Sequence, residues 1–266
     1  MTTESTYIHG HHESVLRSHR WRTAENSAGF LLPVLEPGMS LLDVGCGPGT
    51  VTIDLAGRVA RAVGVDRAPT VLAAAREAAA GVDKVEFLEG DAYALPFPDD
   101  SFDVVYAHQV LQHLTDPIAA LREMKRVARP GGYVAVRDAD YAAMTWWPRV
   151  PGLDDWMALY HEVAEANSHD ADAGRKLLSW VLQAGFPPEG IVPSAGVWCY
   201  STPADRSWWG ELWADRSVKS NFAKQALGHR LADDVALEHI ADAWREWAES
   251  EDGWFAVLNG EVLARV

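Results

Sequence analysis

The stretch Leu41-Leu42-Asp43-Val44-Gly45-Cys46-Gly47-Pro48-Gly49-Thr50 decides how this chain is read. Its first half is a short apolar strand of the kind buried on both faces of a parallel sheet, and its second half sets three glycines at alternate positions. Without a Cβ, the backbone at such positions bends tightly and lets a ligand come close. Thr50 falls at the cap position of the next helix, so the turn delivers its ligand to free N–H groups at a helix N-terminus. That ligand is small and polar. Dinucleotide sites use a related turn, but theirs reads Gly-x-Gly-x-x-Gly to fit a pyrophosphate, and this one reads Gly-x-Gly-x-Gly.

Outward from the turn, Ala62-Val63-Gly64-Val65 is a second strand ending in Asp66, at the separation of about twenty residues that sets an acid beside a ribose. A third strand, Val85-Glu86-Phe87-Leu88, runs into Gly90-Asp91-Ala92, where a second acid can meet an adenine amino group. The fourth, Phe102–Ala107, ends at His108-Gln109, and the fifth, Gly132–Val136, follows the break Arg129-Pro130-Gly131. Five strands alternating with helices over residues 41–137 predict a doubly wound α/β sheet.

These segments together resemble a class I S-adenosylmethionine-dependent methyltransferase, of the small-molecule group that includes the ubiquinone and menaquinone biosynthesis enzymes. The resemblance is carried by LLDVGCGPGT, by VGVD, by GDAYALPFPDDSFDVVYAHQVLQHL and by RVARPGGYVAV, in family order and spacing. It implies a Rossmann-like, mostly parallel seven-stranded sheet with helices on both faces and a helical, Trp-rich insertion for the acceptor. It also implies a single domain over 1–266, with lid helices at 1–37, a cofactor core at 38–140, acceptor-pocket elements at 141–250 and a final strand region at 251–266. By the same resemblance the cofactor is S-adenosyl-L-methionine, leaving as S-adenosyl-L-homocysteine. Its amino-acid end meets Gly45, Cys46 and Gly47, its ribose Asp66, its adenine Asp91 and Ala92, and its methionine portion His108 and Gln109. Arg67 reads either as a cover for the adenine or as a solvated cation at a helix start, and in the lid Tyr7 or His11 is expected to touch the cofactor or the acceptor, Tyr7 being taken as the cofactor contact.

Composition agrees with an enzyme acting on a small molecule. A formal charge of −15 on 266 residues repels a phosphate backbone, and no Lys/Arg run breaks that field, which argues against nucleic acid. The absence of any apolar run near twenty residues and of a signal pattern predicts a chain without a transmembrane segment, and two cysteines suit a reducing cytoplasm. A homo-oligomer is compatible with the resemblance.

Downstream, helices are expected at Pro69–Ala80, at Pro117–Val127 with Asp116 as cap, near Leu153–Asn167 and near Gly174–Ala184, and two or three more over 203–250. A sixth strand is expected at Ile191–Tyr200, and a last one at Trp254–Leu258, with Asn259-Gly260 as a hairpin signal before Glu261–Val266. Most of the twelve tryptophans lie in this second half. They read either as an aromatic pocket for a flat acceptor or as helix core, with Trp146-Trp147, just past the fifth strand, best placed to line a pocket.

Methyl transfer asks a protein for alignment and, where the acceptor holds a proton, for a base. His113, one helical turn past strand four, is a candidate base because an ordinary imidazole titrates near neutrality; its other reading is a positional hydrogen-bonder. Asp138 is a second catalytic candidate, and Asp140 shares its position past strand five. The cluster His9-Gly10-His11-His12 invites a metal, but no Cys or carboxylate stands at ligand spacing, so no metal is expected. Two competing functions remain: a cofactor-binding regulatory or scaffold protein without methyl transfer, and, less well supported, a dehydrogenase.

Overall fold

The computed structural model describes residues 18–19 and 21–266. Eight strands form one sheet: β1 (Ser40–Val44), β2 (Arg61–Asp66), β3 (Val85–Glu89), β4 (Phe102–His108), β5 (Ala128–Ala139), β6 (Thr145–Trp147), β7 (Ile191–Tyr200) and β8 (Trp254–Arg265). From β3 the order runs β2, β1, β4, β5, all parallel, and β8 then joins β5 antiparallel. β5 and β6 lie end to end along one flank of β8, and β7 takes the other. The sheet is therefore seven strands wide, as expected, although built from eight.

Alternation along β1 shows why the strand is apolar throughout. Leu41 packs with Leu55, Val59 and Tyr106 beneath α1 (Ala24–Ala28) and α2 (Thr50–Ala56). Leu42 and Val44 point the other way, into a core shared with Leu121 and Met124 of α4 (Pro117–Val127) and Leu177 and Val181 of α6 (Leu177–Gln183). The remaining helices are α3 (Pro69–Ala78), α5 (Pro151–Ala166), α7 (Pro203–Lys219), α8 (Asn221–Gly228) and α9 (Asp234–Glu249). The Asp116 carboxylate accepts from Ala119 N at 2.9 Å, the expected cap. No helix among the described residues is long and apolar enough to cross a membrane.

Three expectations change. No helix joins β3 to β4: the proline-rich run after Gly90 crosses as a loop, because Pro96 and Pro98 deny it a helical ladder. Asn259-Gly260 is not a hairpin but the middle of β8, which runs unbroken from Trp254 to Arg265. Gly260 is there because the chain at Gly174 crosses over it; a Cβ on Gly260 would stand 2.0 Å from the Gly174 carbonyl oxygen. Trp146 and Trp147 line neither of the two cavities described below. Trp146 is buried and stacks on Phe255 at 5.6 Å, while Trp147 is 56% exposed and donates its N–H to Asp252 at 2.8 Å. Most other tryptophans serve as core: Trp156, Trp244 and Trp247 pack on Phe255, and Trp213 on Trp156 and Trp244, where α5, α7 and α9 meet the start of β8.

Gly260→Ala is expected to destabilise the fold by at least about 1–3 kcal/mol, because the obstructing atom is backbone and cannot rotate away. Urea unfolding of the variant against wild type measures it.

Candidate cofactor and methyl-transfer site

The chain leaves β1 toward one edge of the sheet and β4 toward the other, and at that switch point a cavity of about 440 Å³ opens beyond the strands' carboxyl ends. Its floor is the glycine turn. Gly45 N and Cys46 N both donate to the Val65 carbonyl, at 2.7 and 3.0 Å, and Gly47 N donates to Asp66 Oδ2 at 3.0 Å. Gly45 (φ +72°) has no room for a side chain, since a Cβ would meet Val110 Cγ2 at 2.4 Å. Gly47 (φ +54°) differs: a Cβ there would meet only His19 Nδ1 at 3.6 Å, so its backbone faces open cavity.

The helix start departs from expectation. Gly49, in the left-handed region, is the cap residue, and Thr50 is the first helical residue, with its hydroxyl donating to the His19 carbonyl at 2.9 Å. Thr50 thus ties the N-terminal segment to the turn.

Ten of the residues singled out from the sequence line this one cavity: Gly45, Cys46, Gly47, Asp66, Arg67, Asp91, Ala92, His108, Gln109 and His113. Asp66 also accepts from Ala68 N at 2.9 Å, and Asp91 from Tyr93 N at 3.0 Å, so each acid shapes its own loop. Burial pushes the Cys46 thiol up, which leaves it a protonated packing group. Tyr7 and the His9–His12 cluster lie outside the described residues.

Three titratable groups near the inner end have engaged lone pairs. Arg137 Nη1 donates to His108 Nε2 at 3.2 Å, which puts the imidazole proton on Nδ1. Burial, with Arg22 and Arg137 adding to it, holds His108 well below the ordinary imidazole range. Gln112 Nε2 donates to His113 Nε2 at 2.9 Å, and burial together with His169 holds His113 well below that range too. The premise that His113 titrates near neutrality is therefore corrected. Asp138 does not line the cavity. It is fully buried, its Oδ1 accepts from Gln112 N at 3.1 Å, and it supports the turn at Leu111–His113. Asp140 is equally buried, paired with Arg175 at 2.5 and 2.6 Å.

With the geometry in view, comparison with known proteins is informative. Residues 42–136 match the methyltransferase domain family. The uncharacterized methyltransferase C1B3.06c of Schizosaccharomyces pombe is 34% identical, over 98% of this chain and 97% of that protein. The chain belongs to the class I S-adenosylmethionine-dependent methyltransferases. A demethylmenaquinone methyltransferase of Staphylococcus aureus is 37% identical over 46% of this chain and 50% of its own. The YcgJ protein of Bacillus subtilis shares the fold, with TM-score 0.56 and 22% identity over 89% of this chain and 96% of that one. The cofactor of this methyltransferase is S-adenosylmethionine, and the regulatory and dehydrogenase readings fall away.

Sequence reasoning missed four groups that line the cavity. Asp43 lines the cavity, its Oδ2 accepting from the Thr52 hydroxyl at 2.6 Å, and burial pushes its carboxyl up to about 7 against that hydrogen bond. An acid inside an otherwise apolar strand was the signal. Arg22 and His19 come from the segment expected as lid helices, where neither was singled out, and Tyr106 from a strand that reads as core; all three face the cavity. Arg22 donates to Gln109 Oε1, and Gln109 itself sits at φ +54°, a conformation that costs energy for a residue with a side chain.

Asp66→Ala should weaken S-adenosylhomocysteine binding roughly ten- to a hundred-fold, the loss of charge-assisted hydrogen bonds worth about 1.5–3 kcal/mol. Gly47→Val should abolish it in a chain that still folds, both read by calorimetric titration and circular dichroism.

Asp138 generates a pH prediction. Burial pushes its carboxyl up to about 8, from the usual 3.8. The folded state then holds this proton more tightly than the unfolded state, so stability falls as pH rises from about 4 through 8. Asp138→Asn removes the titration and keeps an oxygen for Gln112 N. Because each tenfold displacement of an ionisation corresponds to about 1.4 kcal/mol, the variant should gain more than that over wild type between pH 5 and pH 9. Thermal unfolding at the two pH values checks it.

Proposed function

We propose that this methyltransferase methylates a carbon, oxygen or nitrogen of a small organic metabolite of the quinone, phenol or natural-product type. The observation that carries the reading is the inner end of the cavity, where Tyr106, His108, Gln109 and His113 present uncharged groups already held by protein partners. Such a wall orients an acceptor and excludes water; it does not ionise one. The S. aureus relative, named for demethylmenaquinone, supports a quinone-type acceptor.

The residues fit the cofactor. The cavity lies within the usual range of about 300–1,000 Å³ for small-molecule sites, and the open backbone at Gly47 leaves space where the amino-acid end would lie. In this reading Gly45 and Gly47 hold that end by their backbones, with Cys46 packed beneath. Asp66 takes the ribose hydroxyls, Asp91 and Ala92 the adenine edge, and Arg67 one adenine face. The backbone at His108 and Gln109 receives the methionine portion, and Tyr7 is a further cofactor contact on the strength of the resemblance alone. When bound, S-adenosylmethionine supplies a methyl group already activated on a sulfonium. The division into a cofactor core at 38–140 and acceptor elements at 141–250 belongs to the same proposal.

The base is the role the side chains support least. His113 Nε2 is occupied by Gln112, so His113 serves as a positioning residue, and Asp138 supports it from below. The acceptor then attacks as an ionised oxygen, a neutral amine, or a ring carbon that loses its proton after bond formation.

Incubation with S-adenosylmethionine and a panel of quinols, phenols and amines, scored for S-adenosylhomocysteine, tests the reading. Product with at least one acceptor is expected; none across the panel would overturn it. His113→Gln should lower the rate less than about tenfold, with cofactor affinity falling in step. A loss of roughly 10²–10⁴-fold with affinity kept would make His113 the base.

A further inference from the structure

Behind Arg22 lies a second cavity of only about 30 Å³, room for little more than a water molecule. It shares His19, Arg22 and Gln109 with the cofactor cavity, so the two are neighbours across one wall. Its own walls are aromatic: Trp21, Trp198, Tyr200, Trp208, Trp209 and Trp213. Tyr200 and Trp209 stack with centroids 4.2 Å apart.

Two buried polar atoms at this cage, Tyr200 Oη and Trp209 Nε1, have no hydrogen-bond partner among the described residues. Unsatisfied indoles also occur deep in the apolar core, at Trp146, Trp156 and Trp244, so an orphaned N–H alone carries little. What separates Tyr200 and Trp209 is that both border open space, and a native protein rarely leaves a buried hydroxyl unsatisfied there without a role for it. Trp21 shows what shape the cage accepts. Its indole meets Trp198, Tyr200 and Trp208 at 5.5, 5.7 and 5.6 Å, and it is itself 38% exposed. A flat ring already occupies the mouth, on a residue with one side open to solvent.

The charges choose between two kinds of aromatic-cage ligand. An ammonium group needs a free indole face or a carboxylate. The Trp198 face is taken by the Arg137 and Arg22 guanidiniums, at 4.6 and 5.7 Å, and the Trp213 face by Arg216 at 5.0 Å. Among the described residues no carboxylate lines the cage. An oxygen with negative charge finds guanidiniums and two N–H and O–H donors instead.

We propose that this cage is the acceptor seat of the methyltransferase, and that it takes a planar ring bearing an acidic oxygen, a phenol, quinol or enol, in preference to an amine cation. The proposal rests on the reading above that the acceptor is a small organic molecule. Trp21 swings out as the ring enters, and Tyr200 and Trp209 hydrogen-bond its oxygen. Displacement of Trp21 opens the seat, and Arg22 and Gln109, which line both cavities, mark where it meets the cofactor cavity.

Calorimetric titration of the full chain, saturated with S-adenosylhomocysteine, tests the seat with phenol, 2-naphthol and anaerobic 1,4-dihydroxynaphthalene against 2-naphthylmethylamine, a cation of matching shape. At least one oxygenated ring should bind, and the amine at least about tenfold more weakly. Tyr200→Phe, which keeps the ring stack, and Trp209→Phe should each weaken the oxygenated ring about 3- to 10-fold, with S-adenosylhomocysteine affinity unchanged. Failure of all three oxygenated rings to bind, equal binding of the amine, or wild-type affinity in both variants would overturn the seat. Binding without turnover in the presence of S-adenosylmethionine leaves the seat standing and counts against methyl transfer to these acceptors. Turnover of an acceptor whose affinity Tyr200→Phe does not change keeps the transfer and overturns the seat.

Discussion

One carbonyl and one carboxylate at the end of β2 hold the functional half of this molecule together. Val65 accepts two amides of the glycine turn and Asp66 accepts a third, so the turn is fastened to a neighbouring strand and not merely permitted by its glycines. Fastened there, it stays clear of the space above β1, and that space is the cavity proposed for the cofactor. In the reading proposed above, Asp66 has two partners to satisfy, the protein's own turn and the ligand. A carboxylate can do both because it offers about four lone-pair directions, of which Gly47 N and Ala68 N use two.

The cofactor half was legible in the sequence because its constraints are local. A strand, a tight turn and an acid at the end of the next strand follow one another along the chain, and each leaves its residue type behind: apolar runs, glycines, Asp66, the Asp116-Pro117 helix start. The second half, proposed to hold the acceptor, obeys contacts between distant segments, which leave ambiguous marks. Asn259-Gly260 carries a turn signature, yet its glycine answers to Gly174, some 86 residues earlier in the chain. Paired tryptophans after a parallel strand suggest a pocket, yet Trp146 answers to Phe255. Arg22 was invisible for the same reason: a cation in a polar stretch gains its meaning only when Gln109 and Trp198 are brought to it.

Where the two halves meet, buried charge does the joining. Arg137 of β5 donates to Glu261 of β8 at 3.0 Å, covers Trp198 of β7 and fixes the tautomer of His108 at the end of β4. Ser194 completes the carboxylate, donating to Glu261 Oε2 at 2.9 Å. A buried ion pair of this kind is weak evidence for stability, since desolvation offsets much of the attraction, but removing one partner leaves an uncompensated charge. Its effect here is registration: four strands present their cavity-facing ends in one arrangement or strand a charge.

The distribution of tryptophan has an optical consequence. Between Trp21 and Trp146 the chain contains none, so the parallel core that surrounds the cofactor cavity emits almost nothing when excited in the indole band. The emission comes from the interlocked rings of the other half, several of them within 6 Å of a neighbour and able to share excitation. Fluorescence thus looks chiefly at one half of the molecule, and far-ultraviolet dichroism at the backbone of the whole. Whether their denaturation curves coincide reports directly on whether the strand common to both, β8, makes them melt as a single unit.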